Sequence, residues 1–528
     1  MEKMASFLFG KTSGKSRINR KFSIGTVAVL LILLSAAFLR LYRIQDYMTF
    51  LGDEGRDVLV VYNMLHGDLT LLGPAASVGG FFLGPIYYYF MAPFLLLFNF
   101  NPVGPAVMVA LFGIATVWLV YRVGSEFFGS RAGLIAAAIY GISPLVIAYS
   151  RSSWNPNPMP FFSLLFLYIL YKAVNRNKII LFAFCGILLG ILMQLHYLAT
   201  FLGVIAGVYI LISRIYAGRA WRTLKDYFFV FLGFVVGWLP FLLFEIRHGF
   251  QNFQSIINFI FQSGDTGASA RFFETIYDVF FRLFGRLVTN FPPPEQVALG
   301  AHPNMAAWYY ATLILGIASV SIFLLKFYKN FRERNSEVSK YVLILTWLVL
   351  GIGLFGFYNK PIYDYYFGFM FPLPFLLVGL FISSMLTKKI GKFLSIGVLA
   401  ILLWVNFQGI PFRYTPNRQL AQVEEISRFV VDKTDGKPFN FALITGSNSD
   451  HAYRYFFTVW DRHPLTIENP QKDPQRKTVT DQLMVVCETN PCAPLGNSLW
   501  EIAGFGRAEI AGEWNVSVVK VYKLIHYK

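Results

Sequence analysis

The feature that most constrains this chain is a series of long apolar runs with almost no charge inside them. Of its 528 residues, 55% are hydrophobic and only 14% are charged. The apolar residues fall in unbroken blocks of membrane length rather than at a helical or strand period, which predicts a mostly α, polytopic helical membrane protein. The runs are Ile24–Leu39, Phe81–Phe98, Val103–Tyr121, Ala132–Tyr149, Pro156–Tyr171, Ile179–Leu195, Tyr197–Ile212, Tyr227–Phe244, Ala306–Leu325, Tyr341–Tyr358, Phe367–Leu386 and Leu394–Phe407.

The net charge of +17 is typical of nucleic-acid binders, but here the basic residues concentrate in short loops between the runs. Such loops face the cytoplasm and meet anionic lipid, so we expect no nucleic-acid partner. The clusters are Arg122 with Arg131; Lys172, Arg176 and Lys178; Arg214, Arg219, Arg222 and Lys225; Lys326, Lys329, Arg332, Arg334 and Lys340; and Lys388, Lys389 and Lys392.

The positions of these clusters fix the expected topology. Met1–Lys21 is a basic arm ahead of the first run, which predicts a cytoplasmic N-terminus and an uncleaved signal anchor; a signal peptide cleaved at Ala36-Ala37 is the alternative. Three runs separate this arm from Arg122, yet both are expected on the cytoplasmic side. One of the three runs must therefore not cross the membrane. We choose the proline-flanked, tyrosine-rich Phe81–Phe98 as an interfacial helix. Eleven spans remain in a multi-pass plasma-membrane protein, with the C-terminus outside the cytoplasm.

The same alternation of cytoplasmic and outer loops defines the domains. Residues 1–409 form the membrane domain, with a first outer loop at 42–102 and a long outer loop at 245–305. Residues 410–528 are more polar, with a helix-like stretch at 418–431 and strand-like runs at 439–445, 482–487 and 517–524, which predicts a small extracytoplasmic α/β domain. Cys487 and Cys492 lie in this domain, where they either pair or remain free thiols.

The first outer loop carries the sequence Phe50–Asp57, FLGDEGRD, directly after a membrane exit. Ionisable residues near a membrane are scarce, and three carboxylates here indicate a functional site. Asp53 or Glu54 is suited to act as a general base toward an incoming hydroxyl. The alternative is that both are solvated loop residues.

Several other polar residues fall on the same predicted face as Asp53. Cations near the interface pair with phosphate, so we expect a phosphate site from a set of four residues and further contacts from two more. The phosphate set is Arg56, Arg151, His196 and Arg247, and the acceptor or metal contacts are Glu245 and His248. Two alternatives to phosphate binding remain open. Arg151 could be an anchor at the membrane interface, and His196 could be a buried, hydrogen-bonded histidine. Whether a divalent metal binds is also open, because oxygen-ligand sites leave no spacing signature.

The order LGDEGRD, LGPIYYYF, SRSSWNPNP and EIRHGF resembles the GT-C membrane glycosyltransferases, most closely their protein O-mannosyltransferase and aminoarabinose-transferase branch. The resemblance spans Ile24–Phe407. It implies a GT-C fold and transfer of a sugar from a polyprenyl-phosphate or polyprenyl-diphosphate donor to an extracytoplasmic acceptor. By resemblance, Asp53 is the catalytic or metal-associated carboxylate and Glu54 an acceptor or metal contact.

This chain departs from the family in two places. An acidic residue common after the Ser150-Arg151 element is replaced by asparagine, and a lysine common between two central spans is His196. The resulting hypothesis is an inverting glycosyltransferase with Asp53 as base. A transporter or flippase of a lipid-linked sugar is the alternative, although the sequence shows no symmetry of repeated halves with paired broken helices, which is typical of transporters. A non-catalytic scaffold is a third reading.

Overall fold

The computed structural model describes residues 24–267, 270–298, 303–335, 337–387 and 389–527. The predicted basic arm Met1–Lys21 and Lys388 lie outside the described residues. Helices dominate up to residue 408, and many are apolar around most of their circumference, as membrane-embedded helices are.

The first half of the membrane domain alternates long helices with short, turned ones. Its helices are α1 (Ile24–Leu41), α2 (Ile44–Tyr47), α3 (Gly52–Leu65), α4 (Ile86–Leu97), α5 (Val103–Phe128), α6 (Ser130–Ile142), α7 (Pro144–Tyr149), α8 (Met159–Arg176), α9 (Ile179–Leu195), α10 (Thr200–Tyr216) and α11 (Thr223–Gly237). Pro144 at the start of α7 explains why one predicted run is broken into two helices, since proline cannot continue the hydrogen-bonded ladder.

Among the described residues, the second half contains a short helix that leads into the long outer loop, two helices of that loop and four further apolar helices. These elements are α12 (Leu239–Arg247), α13 (Gln251–Phe261), α14 (Phe272–Gly285), α15 (Pro303–Arg332), α16 (Val338–Gly353), α17 (Pro372–Met385) and α18 (Lys389–Gln408). Short 3₁₀ segments lie at Tyr197–Ala199, Ala220–Arg222, Pro294–Gln296, Leu354–Phe357, Asp364–Met370 and Pro411–Arg413.

Among the described residues, six helical segments are long and apolar enough to cross a membrane, or up to eight if two bent pairs each count as one span. The six are Ile24–Leu41, Val103–Phe128, Tyr197–Tyr216, Pro303–Arg332, Val338–Phe357 and Lys389–Gln408. Other predicted spans are shorter apolar helices such as α6 and α9. The chain is a multi-pass membrane protein, whereas the count of eleven spans and the direction of the termini stay predictions.

The run chosen as an interfacial helix forms α4, only 12 residues long, with Pro93 inside it. Its Tyr87, Tyr88, Met91 and Leu95 are buried, and it packs between α3, α5 and α9. Helix α4 is therefore a packed support for α3, with its tyrosine face turned toward protein.

The C-terminal residues form a small α/β unit. The sheet has the order β1-β2-β4-β3, with β1 (Asn440–Ile444) parallel to β2 (Gln482–Cys487) and β4 (Val519–His526) antiparallel to both β2 and β3 (Ala508–Val516). Helices α19 (Gln419–Lys433), α20 (His451–Val459) and α21 (Trp500–Ala503) accompany it. Cys487 and Cys492 form a disulfide at the end of β2.

The α/β unit packs directly on α3 through two glycines of the acidic motif. A Cβ on Gly52 would lie 2.1 Å from Ser449 Oγ, and a Cβ on Gly55 would lie 2.3 Å from the backbone nitrogen of Ala452. Only glycine allows so close an approach of backbone to backbone. The glycines of LGDEGRD therefore dock α20 onto the helix that carries the carboxylates.

Candidate active site

Helix α3 presents the acidic motif at its N-terminal turn. The Glu54 carboxylate reaches back and accepts a hydrogen bond from the backbone N–H of Leu51 at 3.1 Å. Asp53 and Glu54 both lie in the first turn, where carboxylates favourably meet the positive end of the helix dipole. The motif thus folds as a capped helix start, which fixes the direction of each side chain.

Asp53 and Asp57 share one arginine. Arg56 Nη1 lies 2.8 Å from Asp53 Oδ1, and Arg56 Nη2 lies 2.8 Å from Asp57 Oδ1. The Asp53 side chain is 55% exposed, whereas that of Asp57 is fully buried and also accepts a hydrogen bond from the Tyr88 hydroxyl at 3.3 Å. The buried Asp57 therefore fixes the position of Arg56, and Arg56 in turn orients the exposed Asp53.

Burial changes the acidity of the two enclosed carboxyls. It raises the pKa of Glu54 to about 7, although the Leu51 N–H opposes the shift. Burial also raises the pKa of Asp57 to about 6, and the neighbouring Arg56 opposes that shift. Of the three carboxylates in the motif, Asp53 is the one whose side chain is largely exposed.

Two polar cavities meet at Asp53. The first, of about 270 Å³, is called the Arg56 cavity and is bordered by Asp53, Arg56, Trp154 and His196 among others. The second, of about 520 Å³, is called the Ser447 cavity and is bordered by Asp53, Glu54, Trp154 and Ser447 among others. Asp53 and Trp154 border both cavities, so the Asp53 carboxylate faces the junction between them.

An apolar groove of about 360 Å³ opens next to the Arg56 cavity. Leu83 and Tyr197 border both spaces, so the groove and the cavity adjoin. The remaining wall is apolar and aromatic, with Phe81, Phe201, Trp238, Phe241, Phe259 and Phe357 among the lining residues. A long apolar ligand with a polar head fits this arrangement of groove and cavity.

His196 is a buried, uncharged member of the Arg56 cavity. Its Nδ1 accepts a hydrogen bond from the backbone N–H of Leu198 at 3.2 Å, which leaves the proton on Nε2. Burial lowers the pKa of His196 to about 3. The imidazole is therefore a neutral hydrogen-bond donor near pH 7, a different role from the cation that the sequence suggested.

Arg151 borders neither cavity. Its guanidinium is buried, donates to the carbonyl oxygens of Leu39 at 2.8 Å and Tyr42 at 2.9 Å, and lies over the rings of Tyr47 and Phe412. Burial lowers its pKa to about 10, so it stays charged at neutral pH. This contact set ties the end of α1 to the α7 turn. The geometry gives no support to a phosphate-binding role, which stays a prediction.

The charged residues of the EIRHGF element border neither polar cavity. Glu245 is fully buried and accepts hydrogen bonds from Asn252 Nδ2 at 2.8 Å and from the backbone N–H of Phe253 at 3.0 Å. Arg247 and His248 are exposed at the end of α12. None of the three borders either polar cavity. Glu245 thus shapes the turn between α12 and α13, and the predicted roles of these residues in binding remain without structural support.

The side chains around Asp53 do not form a suitable set of metal ligands. Asp53 and Asp57 both point at the Arg56 guanidinium. Within the part of the chain that the structure describes, no group of three or more His, Cys, Asp or Glu side chains is positioned to hold a metal ion. The arrangement is suited to proton transfer and charge pairing.

Several residues that contribute to the site were not selected from the sequence. Trp154 borders both cavities, and its ring lies 4.5 Å from that of Tyr365, centroid to centroid, with the two planes tilted by 59°. Tyr197 and Tyr358 pair their hydroxyls at 3.3 Å where the groove meets the Arg56 cavity. These contacts join residues that are far apart in the sequence, so no local pattern indicates them.

The fold is that of a GT-C membrane glycosyltransferase. ArnT from Cupriavidus metallidurans, solved bound to undecaprenyl phosphate, superposes with a TM-score of 0.61 over 94% of this chain and 97% of that one, at 13% identity. The oligosaccharyltransferase AglB from Archaeoglobus fulgidus, solved with an inhibitory peptide and a dolichol-phosphate, superposes with a TM-score of 0.51 over 87% of this chain and 69% of that one, at 14% identity.

Sequence similarity agrees with this class. Residues 83–244 match the dolichyl-phosphate-mannose-protein mannosyltransferase family. The chain is 28% identical over 196 residues to the Bacillus subtilis protein named "Putative mannosyltransferase YycA" and 27% identical over 154 residues to "Putative mannosyltransferase YkcB" of the same organism. These alignments cover 36% and 29% of this chain and 28% and 22% of the two relatives, so the chain matches about a quarter of their length. Fold and similarity together support a GT-C class glycosyltransferase.

Proposed function

We propose that this protein transfers a sugar from a polyprenyl-phosphate-linked donor to a hydroxyl of an extracytoplasmic acceptor, with inversion at the anomeric carbon. The observation that carries the proposal is the position of Asp53 at the junction of two polar cavities, one of which adjoins an apolar groove. A transferase needs two substrate sites that meet at a base, and this arrangement provides them.

The apolar groove and the Arg56 cavity together suit the donor. The polyprenyl chain occupies the groove, past Tyr197, and the phosphate enters the Arg56 cavity. Arg56 supplies the positive charge and the Nε2–H of His196 supplies a neutral hydrogen bond. Charge-assisted hydrogen bonds from guanidinium to phosphate are strong and directional. The undecaprenyl phosphate bound to ArnT and the dolichol-phosphate bound to AglB support a lipid phosphate as the ligand class.

The chemical step needs one base. Asp53 takes the proton from the acceptor hydroxyl as its oxygen attacks the anomeric carbon from the face opposite the phosphate. The bond between that carbon and the phosphate oxygen breaks, and polyprenyl phosphate leaves with the electron pair. Arg56 and His196 stabilise the charge that builds on the departing phosphate. Glu54, enclosed beneath Asp53, caps α3 and keeps the base in position.

In this proposal the membrane domain, residues 1–409, binds the donor, and residues 410–528 lie on the same extracytoplasmic side as Asp53. The N-terminus is then cytoplasmic. A carrier that flips a lipid-linked sugar would use a similar cationic cavity but has no need of a base at the junction.

The proposal is tested by sugar transfer in membranes that contain the full-length protein, supplied with polyprenyl-phosphate mannose, the donor class suggested by the family match at residues 83–244. Replacing a positioned general base costs about 10²- to 10⁴-fold in rate. We expect Asp53→Asn to lose transfer by this amount at normal expression. Asp68→Asn, an exposed carboxylate change in the same loop, is the matched control and is expected to retain activity. Undiminished transfer by Asp53→Asn contradicts the proposal.

A further inference from the structure

The C-terminal domain supplies one wall of the Ser447 cavity. Ser447, Asn448 and Ser449, between β1 and α20, face Asp53 and Trp154 of the membrane domain across this space. The cavity is therefore incomplete in the membrane domain alone. The sequence offered no motif for this domain, and the structure places its 447–449 loop on the same cavity as Asp53.

The lining of the Ser447 cavity is polar but lacks a positive charge. Hydroxyl and amide groups come from Thr49, Ser152, Asn157 and the 447–449 loop, and the aromatic rings come from Tyr149 and Trp154. Of the described residues that line it, the charged ones are Asp53 and Glu54, and none is basic. An anionic ligand placed here would meet like charge, because the neighbouring cation, Arg56, lies outside the lining and is already paired with Asp53 and Asp57. A neutral polyol finds donors, acceptors and ring faces.

The 447–449 loop is held rigidly against the start of α3. Asn448 Oδ1 accepts a hydrogen bond from the backbone N–H of Gly52 at 2.8 Å, and Asn448 Nδ2 donates to Glu488 Oε1 at 3.0 Å. Glu488 also accepts hydrogen bonds from the hydroxyls of Thr445 and Tyr453, each at 2.8 Å. Glu488 follows Cys487, so the disulfide, Glu488 and Asn448 form a continuous support that ends one residue before Asp53.

The shape of the cavity favours a compact ligand. Its walls come from short turns and the first residues of α3, and β1 ends at Ile444, ahead of the loop. Peptides commonly bind by adding an extended strand to an open sheet edge, and the wall of this cavity has no such edge among its described residues. A sugar unit, which presents hydroxyls around its rim and C–H groups on its faces, matches the mixture of amides, hydroxyls and aromatic rings.

We propose that the 447–449 loop of the C-terminal domain and Trp154 form the acceptor subsite, and that this subsite takes an uncharged carbohydrate whose hydroxyl is directed at Asp53. The inference rests on the proposed function, because it assigns the Ser447 cavity to the acceptor. Asn448 is a positioning residue, since it sets the loop against Gly52, while Ser447 and Ser449 line the subsite itself.

The test uses the full-length protein in phosphatidylcholine nanodiscs. It is titrated with the methyl glycosides of mannose, glucose, galactose and N-acetylglucosamine and with their 6-phosphates, and tryptophan fluorescence is the readout. We expect saturable quenching by at least one neutral glycoside, at least tenfold weaker binding of its 6-phosphate, and loss of the signal in Trp154→Phe. No saturable binding of any neutral glycoside, or equal binding of its 6-phosphate, overturns the inference.

Cavity substitutions assign the binding to this subsite. Ser447→Leu fills the space and is expected to weaken glycoside binding at least fivefold, whereas Ser498→Leu, an exposed serine of the same domain outside the cavity, leaves binding unchanged. Asn448→Asp places a carboxylate against Glu488 and is expected to weaken binding, and Asn448→Asp combined with Glu488→Gln restores a donor and acceptor pair and with it the affinity. Wild-type binding in Ser447→Leu, or no recovery in the double variant, contradicts the assignment.

Failure of this inference can be distinguished from failure of the proposed function. Undecaprenyl phosphate binding, measured on the same nanodiscs, is expected to change less than twofold in Ser447→Leu and Asn448→Asp, because neither residue borders the Arg56 cavity or the groove. If sugar transfer depends on Asp53 while the cavity variants bind glycosides normally, the acceptor subsite is wrong and the transferase stands. If transfer is independent of Asp53, the proposed function itself is wrong.

Discussion

Arg56 Nη1 lies 2.8 Å from Oδ1 of Asp53, on the exposed side of the helix turn that both residues share. The pair places a cation and a carboxylate side by side where the Arg56 cavity begins. In the proposed reaction, the arginine faces the phosphate that leaves and the aspartate faces the hydroxyl that attacks. Substitutions of Arg56 and of Asp53 are therefore expected to affect different steps, donor binding for the arginine and proton transfer for the aspartate.

Replacing Arg56 is predicted to affect donor binding most strongly. A hydrogen bond to a charged group contributes about 1.5–3 kcal/mol, so Arg56→Gln is expected to raise the KM for polyprenyl-phosphate mannose by about 10- to 100-fold. Arg43→Gln is a matched control, because Arg43 also pairs with an aspartate three residues away, Asp46, but borders neither cavity. Steady-state kinetics with varied donor checks this; an unchanged KM in Arg56→Gln would show that the phosphate binds elsewhere.

The Asp57 carboxyl is predicted to make donor binding sensitive to pH. Its pKa is raised to about 6 by burial, so lowering the pH through 6 protonates it and removes the charge that anchors Arg56. We expect the donor KM to rise as the pH falls from about 7 to 5. Asp57→Asn is expected to have a raised KM that no longer changes over this range. A pH dependence of KM that persists unaltered in Asp57→Asn is inconsistent with this role.

Titration of Glu54 is predicted to make the folded protein less stable as the pH rises. Its folded-state pKa of about 7 lies above the ordinary value of 4.5, so between these pH values the folded protein retains a proton that the unfolded chain has lost. Folding stability therefore falls as pH rises through this window, by up to ~3 kcal/mol, since each pKa unit corresponds to about 1.4 kcal/mol.

Glu54→Gln removes this titration while its side-chain oxygen still accepts the Leu51 N–H. The melting temperature of Glu54→Gln relative to wild type is expected to increase from pH 5 to pH 8, measured by thermal unfolding in detergent. A constant difference across that range would mean that Glu54 is ionised in the folded protein.

The contact between α3 and the C-terminal domain is predicted to be intolerant of a single methyl group. A Cβ on Gly55 would lie 2.3 Å from the Ala452 backbone nitrogen, and backbone cannot move aside as a flexible side chain does. Gly55→Ala is expected to lower the melting temperature by several degrees and to reduce transfer, because the start of α3 must shift. Gly397→Ala is the control, since nothing lies within 4 Å of its added Cβ; equal effects of the two changes would refute the docking argument.

The sequence was sufficient for the class of fold, because long apolar runs and basic loops are local signals. It also drew attention to Asp53 and Arg56, since charge near a membrane is scarce. It did not separate Arg151 from them: a guanidinium that donates to the carbonyls of Leu39 and Tyr42 has the same sequence context as one that faces a ligand. The packing that buries Arg151 joins residues more than a hundred positions apart.

The C-terminal domain illustrates the same limit. Its helix at 418–431 and its strands at 439–445 and 482–487 were predicted from the sequence pattern and agree with α19, β1 and β2. Strand β3 was missed because an irregularity between Ile510 and Gly512 interrupts the alternation of apolar and polar residues. The role of Asn448 depends on a hydrogen bond to Gly52, 396 positions earlier. No local pattern encodes such a contact. The glycines of LGDEGRD were a signal for close packing, although they do not name the partner.

The most direct test of the account is a structure of the full-length protein in nanodiscs with undecaprenyl phosphate, from which the distance between the phosphorus atom and the Arg56 guanidinium is measured. The account predicts that the phosphate lies in the Arg56 cavity within about 4 Å of the Arg56 nitrogens, with the prenyl chain in the groove beside Tyr197 and the Asp53 carboxylate open to the Ser447 cavity. An ordered lipid phosphate outside the Arg56 cavity, with the groove empty, would contradict it.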